Sequence, residues 1–119
     1  MSKIVYIAHA IGGDIEANLA DLRRILRIIN LNIHPLKVSI GFDFSDVIPI
    51  VPYYADIVSL DDNNPEERSR GIENDKALIE TGVFDELWLT GSKISFGMSC
   101  EVIMFEKLCK PVVNYIGWI

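Results

Sequence analysis

The sequence has little positive charge and few cysteines, and each shortage excludes a class of protein. Lys and Arg number 11 against 17 Asp and Glu, a formal net charge of −6, so the cationic excess that non-specific binding to a nucleic-acid polymer needs is missing. A small phosphate-bearing ligand is not excluded, because it needs only a few local donors. Cys100 and Cys109 form no Cys-x-x-Cys pair and have no neighbouring histidine, which supports neither a disulfide framework nor a zinc site. We therefore expect no metal.

Long apolar runs are also missing. None approaches the ~20 residues that span a bilayer, and the segment Met1–Ala8 lacks the longer apolar region and the cleavage site of a signal peptide. We expect a cytoplasmic protein that does not contact a membrane. The chain has 119 residues, of which 50% are hydrophobic, and this suits one domain over residues 1–119 with one hydrophobic core.

Apolar segments that predict strands alternate with amphipathic segments that predict helices. Strands are expected at residues 3–8, Val47–Val51, Phe84–Thr90 and Val112–Ile116. The first helix follows a glycine turn, and its apolar stripe consists of Ile15, Leu19, Leu22, Leu26 and Ile29. Residues 31–46 are mixed in character, and the polar stretch Ser59–Asn64 is expected to be a loop.

A second helix is predicted before the third strand. Asn64 followed by Pro65 is typical of a helix start, with Asn as the N-cap and Pro in the first turn. Gly71 is expected to break or bend this helix, and Gly82 is expected to end it.

The last helix is expected from about Met98 to Lys110, with Val102, Ile103 and Leu108 on its apolar side. Strands that alternate with helices predict an α/β fold. We expect a single-domain, flavodoxin-like or Rossmann-like parallel sheet with helices on both faces.

Ligands of such sheets bind beyond the carboxyl ends of the strands. Three segments fall there, namely His9–Asp14, Pro52–Tyr54 and Gly91–Glu101. Gly12-Gly13 is either a tight turn with positive φ or a phosphate-binding turn at a helix N-terminus. His9 is either a hydrogen-bonded structural residue or a catalyst.

Two carboxylates also admit two interpretations. Glu101, which we place in the first turn of its helix, either stabilises the helix dipole or acts as a nucleophile or general base. Asp75 is either a solvated or capping residue of its helix or a functional one. The pattern alone leaves both alternatives open.

Several short segments carry a resemblance when they are taken in order. They are Val5-Tyr6-Ile7-Ala8, Asn74-Asp75, Asp85-Glu86-Leu87-Trp88, Ser95-Phe96-Gly97-Met98-Ser99-Cys100-Glu101 and Lys110-Pro111-Val112. In this set the chain resembles the nucleoside 2-deoxyribosyltransferases and their relatives, the 2'-deoxynucleoside 5'-monophosphate N-glycosidases, particularly their small phage-associated members.

The resemblance implies an enzyme that acts on a deoxynucleoside or deoxynucleotide and needs no cofactor. Glu101 would be the nucleophile, because a carboxylate stabilises an oxocarbenium-like transition state and then captures it as a glycosyl-enzyme. Tyr6 would hold that carboxylate in place, and Asp75 would protonate the departing base. We assign substrate binding to Ser95, Gly97, Met98, His9, Gly12 and Gly13.

Ser95 bears on the substrate. The resemblance implies that transferases have an aspartate at this position, which binds a free 5'-hydroxyl, whereas monophosphate hydrolases have a serine. A serine hydroxyl can donate to a phosphate, while an aspartate would repel it. Ser95 therefore favours a 5'-monophosphate. The hydrolases also carry an arginine in the first loop that Ala10-Ile11-Gly12-Gly13 lacks, and Arg68 or Arg70 would have to compensate.

Three functions stay open: hydrolysis by water, transfer of the deoxyribosyl group to a second nucleobase, and binding of a nucleotide without turnover. The phosphoribohydrolases related to cytokinin metabolism are disfavoured, because their Pro-Gly-Gly-x-Gly-Thr loop is absent. The resemblance implies a homodimer or larger homo-oligomer, since relatives build their sites at subunit contacts. Tyr115 and Trp118 are either part of such a contact or the edge of the core.

Overall fold

Four parallel strands form the centre of the structure, a computed structural model in which residues 2–119 are described. The strands are β1 (Lys3–Ala8), β2 (Val47–Ile50), β3 (Glu86–Leu89) and β4 (Val112–Asn114), in the order β2-β1-β3-β4. Their connections contain α1 (Ile15–Leu31), α2 (Lys37–Ile40), α3 (Tyr53–Ser59), α4 (Pro65–Glu80) and α5 (Phe96–Lys107). Successive strands are added on opposite sides of β1, so the strand order reverses between β1 and β3.

The pleat of β1 divides the core into two layers, because alternate side chains point to opposite faces of a sheet. Tyr6 and Ala8 pack on one face with Ile79 of α4 and Phe105 of α5. Val5 and Ile7 pack on the other face against α1, through Leu22, Ile25 and Ile29. The predicted fold class is confirmed: this is an α/β domain with a parallel, flavodoxin-like or Rossmann-like sheet and helices on both faces.

Aromatic side chains complete the α1 face of the sheet. Trp88 of β3 lies 5.5 Å from Phe44 and 4.8 Å from Tyr115 between ring centroids. Phe42 lies 6.1 Å from Trp118, whose carbonyl accepts a hydrogen bond from His34. Tyr115 therefore belongs to the edge of the core, while the Trp118 side chain is 54% exposed.

The structure contains a helix that the sequence did not predict. Residues Tyr53–Ser59 form α3, whose N-cap residue is Pro52 and which has no hydrogen bond from a capping side chain. The helix is short and packs against α4, and the absence of a capping signal is the reason that its start was missed. The expected loop begins only after Ser59.

The predicted break in α4 is wrong. Asn64 caps the helix as predicted by accepting hydrogen bonds from the amides of Glu66 and Glu67, but α4 then runs without interruption through Gly71. Gly71 is buried, and a Cβ added there would lie 3.4 Å from the Cβ of Asp56. This glycine therefore permits a close approach between α3 and α4 rather than a bend.

The boundaries and the apolar side of α5 also differ from the prediction. The helix begins at Phe96, so Glu101 lies in its second turn rather than its first. Ile103 and Leu108 are 53% and 37% exposed, which contradicts their assignment to the apolar side. The buried residues are Met98 and Phe105, seven positions apart and therefore on one face of the helix, with Val102 partly buried beside them.

The remaining differences are small. In α1 Ile15 is 44% exposed, and Ile25 takes a buried place that the predicted stripe did not include. The strands β2, β3 and β4 are each shorter than predicted. Within residues 2–119, no helix has both the length and the apolar character that crossing a membrane requires.

Candidate functional site

The three predicted catalytic residues come from three elements that meet on one face of the sheet. Tyr6 lies on β1, Asp75 on α4 and Glu101 on α5. The Tyr6 ring is fully buried and lies edge-on to Phe84 and Phe105, at centroid distances of 5.1 and 5.8 Å. Both carboxyl groups are close enough to raise the pKa of the Tyr6 hydroxyl, although burial is the larger cause. The structure therefore brings all three together.

The Tyr6 hydroxyl has an unusual environment. It is buried and, among residues 2–119, meets no donor or acceptor at hydrogen-bond geometry. Glu101 is nevertheless near enough for this hydroxyl to lower the pKa of the Glu101 carboxyl. A small movement of the Glu101 side chain would complete the hydrogen bond and satisfy the buried oxygen.

Glu101 is more buried than a helix-surface carboxylate normally is. It lies three residues after the buried Met98 and four before the buried Phe105, so it shares their face of α5. Burial raises its pKa from 4.5 to about 7, and the Tyr6 hydroxyl opposes that rise. An interaction with the helix dipole alone would not require this burial, which favours a functional carboxyl.

Asp75 is accompanied by a carboxylate that the sequence did not single out. Oδ1 of Asp56, in α3, accepts a hydrogen bond of 3.3 Å from the side-chain amide of Asn74. Oδ2 of Asp56 is buried and meets no donor in the described part of the chain. Burial raises the pKa of Asp75, and the charges of Asp56 and then Glu101 raise it further. Asp56 was missed because nothing near it in the sequence places α3 against α4.

Tyr53 of α3 is a second tyrosine of the site, beside Tyr6. Its hydroxyl donates a hydrogen bond of 2.6 Å to the carbonyl of Ile7, and its ring centroid lies 5.9 Å from that of Tyr6. Burial and the nearby Glu101 raise its pKa, so it stays a neutral hydroxyl. Tyr53 lies in one of the three segments expected at this edge of the sheet, but no role was predicted for it.

Asp56, Asp75 and Glu101 form a group that is called the carboxyl cluster below, and no cationic side chain among residues 2–119 forms an ion pair with it. The ion pairs found within residues 2–119 are Lys3–Glu86, His9–Asp21, Arg24–Asp21 and Lys76–Glu80. None of them includes a member of the cluster. The described residues also contain no group of three or more His, Cys, Asp or Glu side chains arranged to hold a metal ion.

Ser95 is the N-cap residue of α5, six residues before Glu101. Its Oγ accepts a hydrogen bond of 3.2 Å from the Met98 amide, and its own amide donates to the Met98 sulfur at 3.4 Å. The oxygen of the hydroxyl is thus used by the helix, but its hydrogen remains able to donate. Met98 is 1% exposed, so its side chain belongs to the core, whereas Gly97 is exposed.

His9 does not join the cluster. Its Nε2 lies 2.7 Å from an Asp21 carboxylate oxygen, and its Nδ1 lies 2.6 Å from the carbonyl of Ala10. Gly91 lies over the ring with φ of +92°, where a Cβ would come within 2.9 Å of Nε2. Both ring nitrogens are engaged, Nε2 with Asp21 of α1 and Nδ1 with the backbone of the loop that follows β1, which favours the structural interpretation of His9.

The loop Gly12-Gly13 is exposed, and Gly13 has a φ of +90° that only glycine adopts readily. Asp14 follows it and caps α1 by accepting a hydrogen bond of 3.1 Å from the Ala17 amide. This carboxylate is at the position that an anion at the helix N-terminus would take. The surroundings therefore favour a turn over a phosphate-binding site at the start of α1.

The two arginines proposed to compensate for the missing first-loop arginine are exposed residues of α4. Arg70 lines a shallow groove that it shares with Glu66 and Glu73. Those two carboxylates would repel an anion, so the groove is a poor phosphate site.

The strand order, the helices on both faces and the carboxyl cluster near Tyr6 define an α/β domain with an acidic candidate active site on one face of its sheet. A family model described as a domain of unknown function (DUF7768) matches residues 3–115, and the chain belongs to that family. No curated protein and no solved structure matches the chain.

Proposed function

We propose that the protein cleaves the N-glycosidic bond of a 2'-deoxynucleoside 5'-monophosphate, with Glu101 as the nucleophile and Asp75 as the general acid. The observation that carries the proposal is the meeting of Glu101, Asp75 and the Tyr6 hydroxyl in one group, in which, as far as residues 2–119 are concerned, the hydroxyl has no partner and no cation forms an ion pair. The resemblance to the deoxyribosyltransferase and monophosphate N-glycosidase superfamily supplies the reaction.

In the first step a carboxylate oxygen of Glu101 bonds to C1' of the deoxyribose while the bond from C1' to the base nitrogen breaks. The electron pair of that bond leaves with the base, which takes a proton from Asp75. The positive charge that develops on the sugar ring is stabilised by the adjacent carboxylate. Tyr6 would orient Glu101 by donating its hydroxyl hydrogen to the oxygen that does not attack.

In the second step water attacks C1' and its proton passes to the Asp75 carboxylate. The bond between C1' and Glu101 breaks, so 2-deoxyribose 5-phosphate is released and both carboxyl groups return to their starting states. One aspartate thus acts first as acid and then as base, as in other glycosidases that form a covalent intermediate.

The electrostatics of the cluster support these two roles. A general acid must keep its proton at neutral pH, and burial together with Asp56 raises the pKa of Asp75 above its ordinary value of 3.8. The nucleophile must be ionised, and Glu101 has a pKa of about 7, with the Tyr6 hydroxyl lowering it. A substantial share of the protein therefore carries an ionised Glu101 beside a protonated Asp75 at neutral pH.

The test is to incubate the protein with the four deoxynucleoside monophosphates and the four free deoxynucleosides and to measure released base. We expect release from at least one monophosphate, and a loss of roughly 10⁴-fold or more in Glu101→Gln. Glu106→Gln is the matched control, because Glu106 is an exposed glutamate of the same helix. Full activity in Glu101→Gln would exclude the assigned nucleophile.

The same assay separates the alternatives. With a second nucleobase in the reaction, an exchanged nucleoside would identify a transferase and free sugar phosphate a hydrolase. Tight binding of a nucleotide without release of base from any substrate would instead identify a binding module.

A further inference from the structure

We propose that Asp56 and Asp75 share a single proton, and that Asp56 is the positioning residue that keeps this proton on Asp75. The catalytic meaning of this pair rests on the proposed function. The sharing of the proton does not, because it follows from the contacts between α3 and α4.

The Asp56 side chain is held tightly between the two helices. Gly71 of α4 lies so close that a Cβ there would be 3.4 Å from Asp56 Cβ and 3.5 Å from its Cγ. Asn74, the residue before Asp75, donates a hydrogen bond of 3.3 Å from its side-chain amide to Asp56 Oδ1. The side chain therefore cannot turn away from α4 without losing this hydrogen bond.

In the described chain, the second carboxylate oxygen of Asp56, Oδ2, lacks a hydrogen-bond donor that a protonated Asp75 would supply. Oδ2 is buried, and within residues 2–119 no donor reaches it. When Asp75 is ionised, two carboxylates face each other without a donor between them. A proton on Asp75 replaces this repulsion with an O–H···O bond to Asp56, which also raises the pKa of Asp75 beyond the effect of burial.

Among the described residues, the groups that face Asp75 from the packed elements include no cation that could replace the proton. They are Asp56 and Tyr53 of α3, Glu101 of α5 and Tyr6 of β1, which are acidic or neutral. On α4 itself, Lys76 points to Glu80, with the two charged groups 3.9 Å apart. Because the three carboxyl groups form no ion pair with a cation of the described chain, retention of a proton is the least costly state.

The proton belongs to Asp75 rather than to Asp56 for a local reason. The side-chain amide of Asn74 already donates a hydrogen bond to Oδ1 of Asp56. Asp75 has the Glu101 carboxyl nearby, which disfavours its ionised form. The two aspartates therefore differ in environment, and Asp75 is the one that can deliver a proton to a substrate.

Asp56→Asn in the full chain tests the pair, because the amide keeps the shape and removes the charge. We expect ¹³C NMR titration of the aspartate carboxyls, assigned with Asp75→Asn, to show that the proton affinity of Asp75 falls about tenfold or more. The alkaline limb of base release should move to lower pH by the same factor. Asp62→Asn, an exposed aspartate outside the cluster, should change neither quantity.

An unchanged titration of Asp75 in Asp56→Asn would overturn the shared proton, whatever the activity. A lowered proton affinity of Asp75, in a protein whose wild type releases no base from any substrate, would support the shared proton and overturn the proposed function. Asp56→Ser is the second variant, which is also neutral but smaller. Asp56→Ser must also lower the proton affinity of Asp75, and a raised proton affinity would contradict the inference.

Discussion

The hydroxyl of Tyr6 and the carboxyl of Glu101 are neighbours inside the sheet–helix layer, yet they do not meet at hydrogen-bond geometry. The hydroxyl is buried without a partner in the described chain, and the carboxyl is held by the face of α5 that also buries Met98 and Phe105. A buried hydroxyl that lacks a hydrogen-bond partner is costly. This arrangement is expected where a substrate or a small movement completes the contact.

Tyr6→Phe should separate the two roles of this hydroxyl. The change removes a buried oxygen that has no partner, so we expect the free energy of unfolding to stay within about 1 kcal/mol of the wild type. Base release should fall roughly 10-fold to 100-fold, because Glu101 loses the group that orients it and lowers its pKa. Urea denaturation and initial rates measure the two effects. Tyr54→Phe, at a tyrosine that is 49% exposed, is the control.

Glu101→Gln should alter the pH dependence of stability. The unfolded chain releases this proton near pH 4.5, whereas the folded protein holds it up to about pH 7. The folded state therefore binds more protons in this interval, and the stability contributed by this group is complete below pH 4.5 and is lost as pH rises through 7.

We therefore expect Glu101→Gln to unfold at a higher urea concentration than wild type at pH 8, with a much smaller difference near pH 4. The measurement is urea denaturation at both values, with Glu106→Gln as the control. Equal pH dependence in wild type and Glu101→Gln would mean that this carboxyl is not destabilised by burial.

The pH profile of base release should be bell-shaped. Activity is expected to rise as Glu101 ionises with its pKa of about 7. It should fall at higher pH, where Asp75, whose pKa is raised, loses the proton that it donates to the base. Asp75→Asn should lower the rate roughly 10²-fold to 10⁴-fold and remove the alkaline limb. Rates measured from pH 5 to 10 check this, and an alkaline limb that persists in Asp75→Asn would assign the proton donor elsewhere.

Ser95→Asp should change substrate preference without disturbing the start of α5. Aspartate is as good an N-cap as serine, so the hydrogen bond to the Met98 amide can be kept. The added charge would repel a 5'-phosphate, and we expect kcat/KM to fall at least about tenfold for monophosphates relative to free nucleosides. Ser95→Asn, a neutral N-cap, is the comparison. An equal loss for both substrate types would argue against a phosphate beside Ser95.

Gly91→Ala should destabilise the fold. The added Cβ would lie 2.9 Å from His9 Nε2, and the φ of +92° is strained for any side chain. We expect a loss of about 1–3 kcal/mol in the free energy of unfolding, measured by urea denaturation. Gly12→Ala should be nearly neutral, because no atom lies within 4 Å of its Cβ position.

The alternation of strands and helices could be predicted from the sequence, and so could the start of α4. These features depend on neighbours along the chain: β1 is a continuous apolar run, and Asn64 caps the helix that follows it directly. The resemblance also selected Tyr6, Asp75 and Glu101, which the structure brings together. The chemistry assigned to them remains a prediction that the experiments above test.

What only the tertiary structure decided concerns partners that are distant in the sequence. Asp56 lies 18 residues before Asn74, and its place in the site depends on α3, a helix too short to leave a clear pattern. Gly71 was interpreted as a helix break because local propensity ignores the helix packed against it. The ring of His9, which we predicted to bind substrate, is enclosed by Asp21 and Gly91, and neither neighbour could be identified from the local sequence. Each of these outcomes is set by which surfaces pack together, and the packing of distant segments is a property of the folded chain that no local sequence pattern contains.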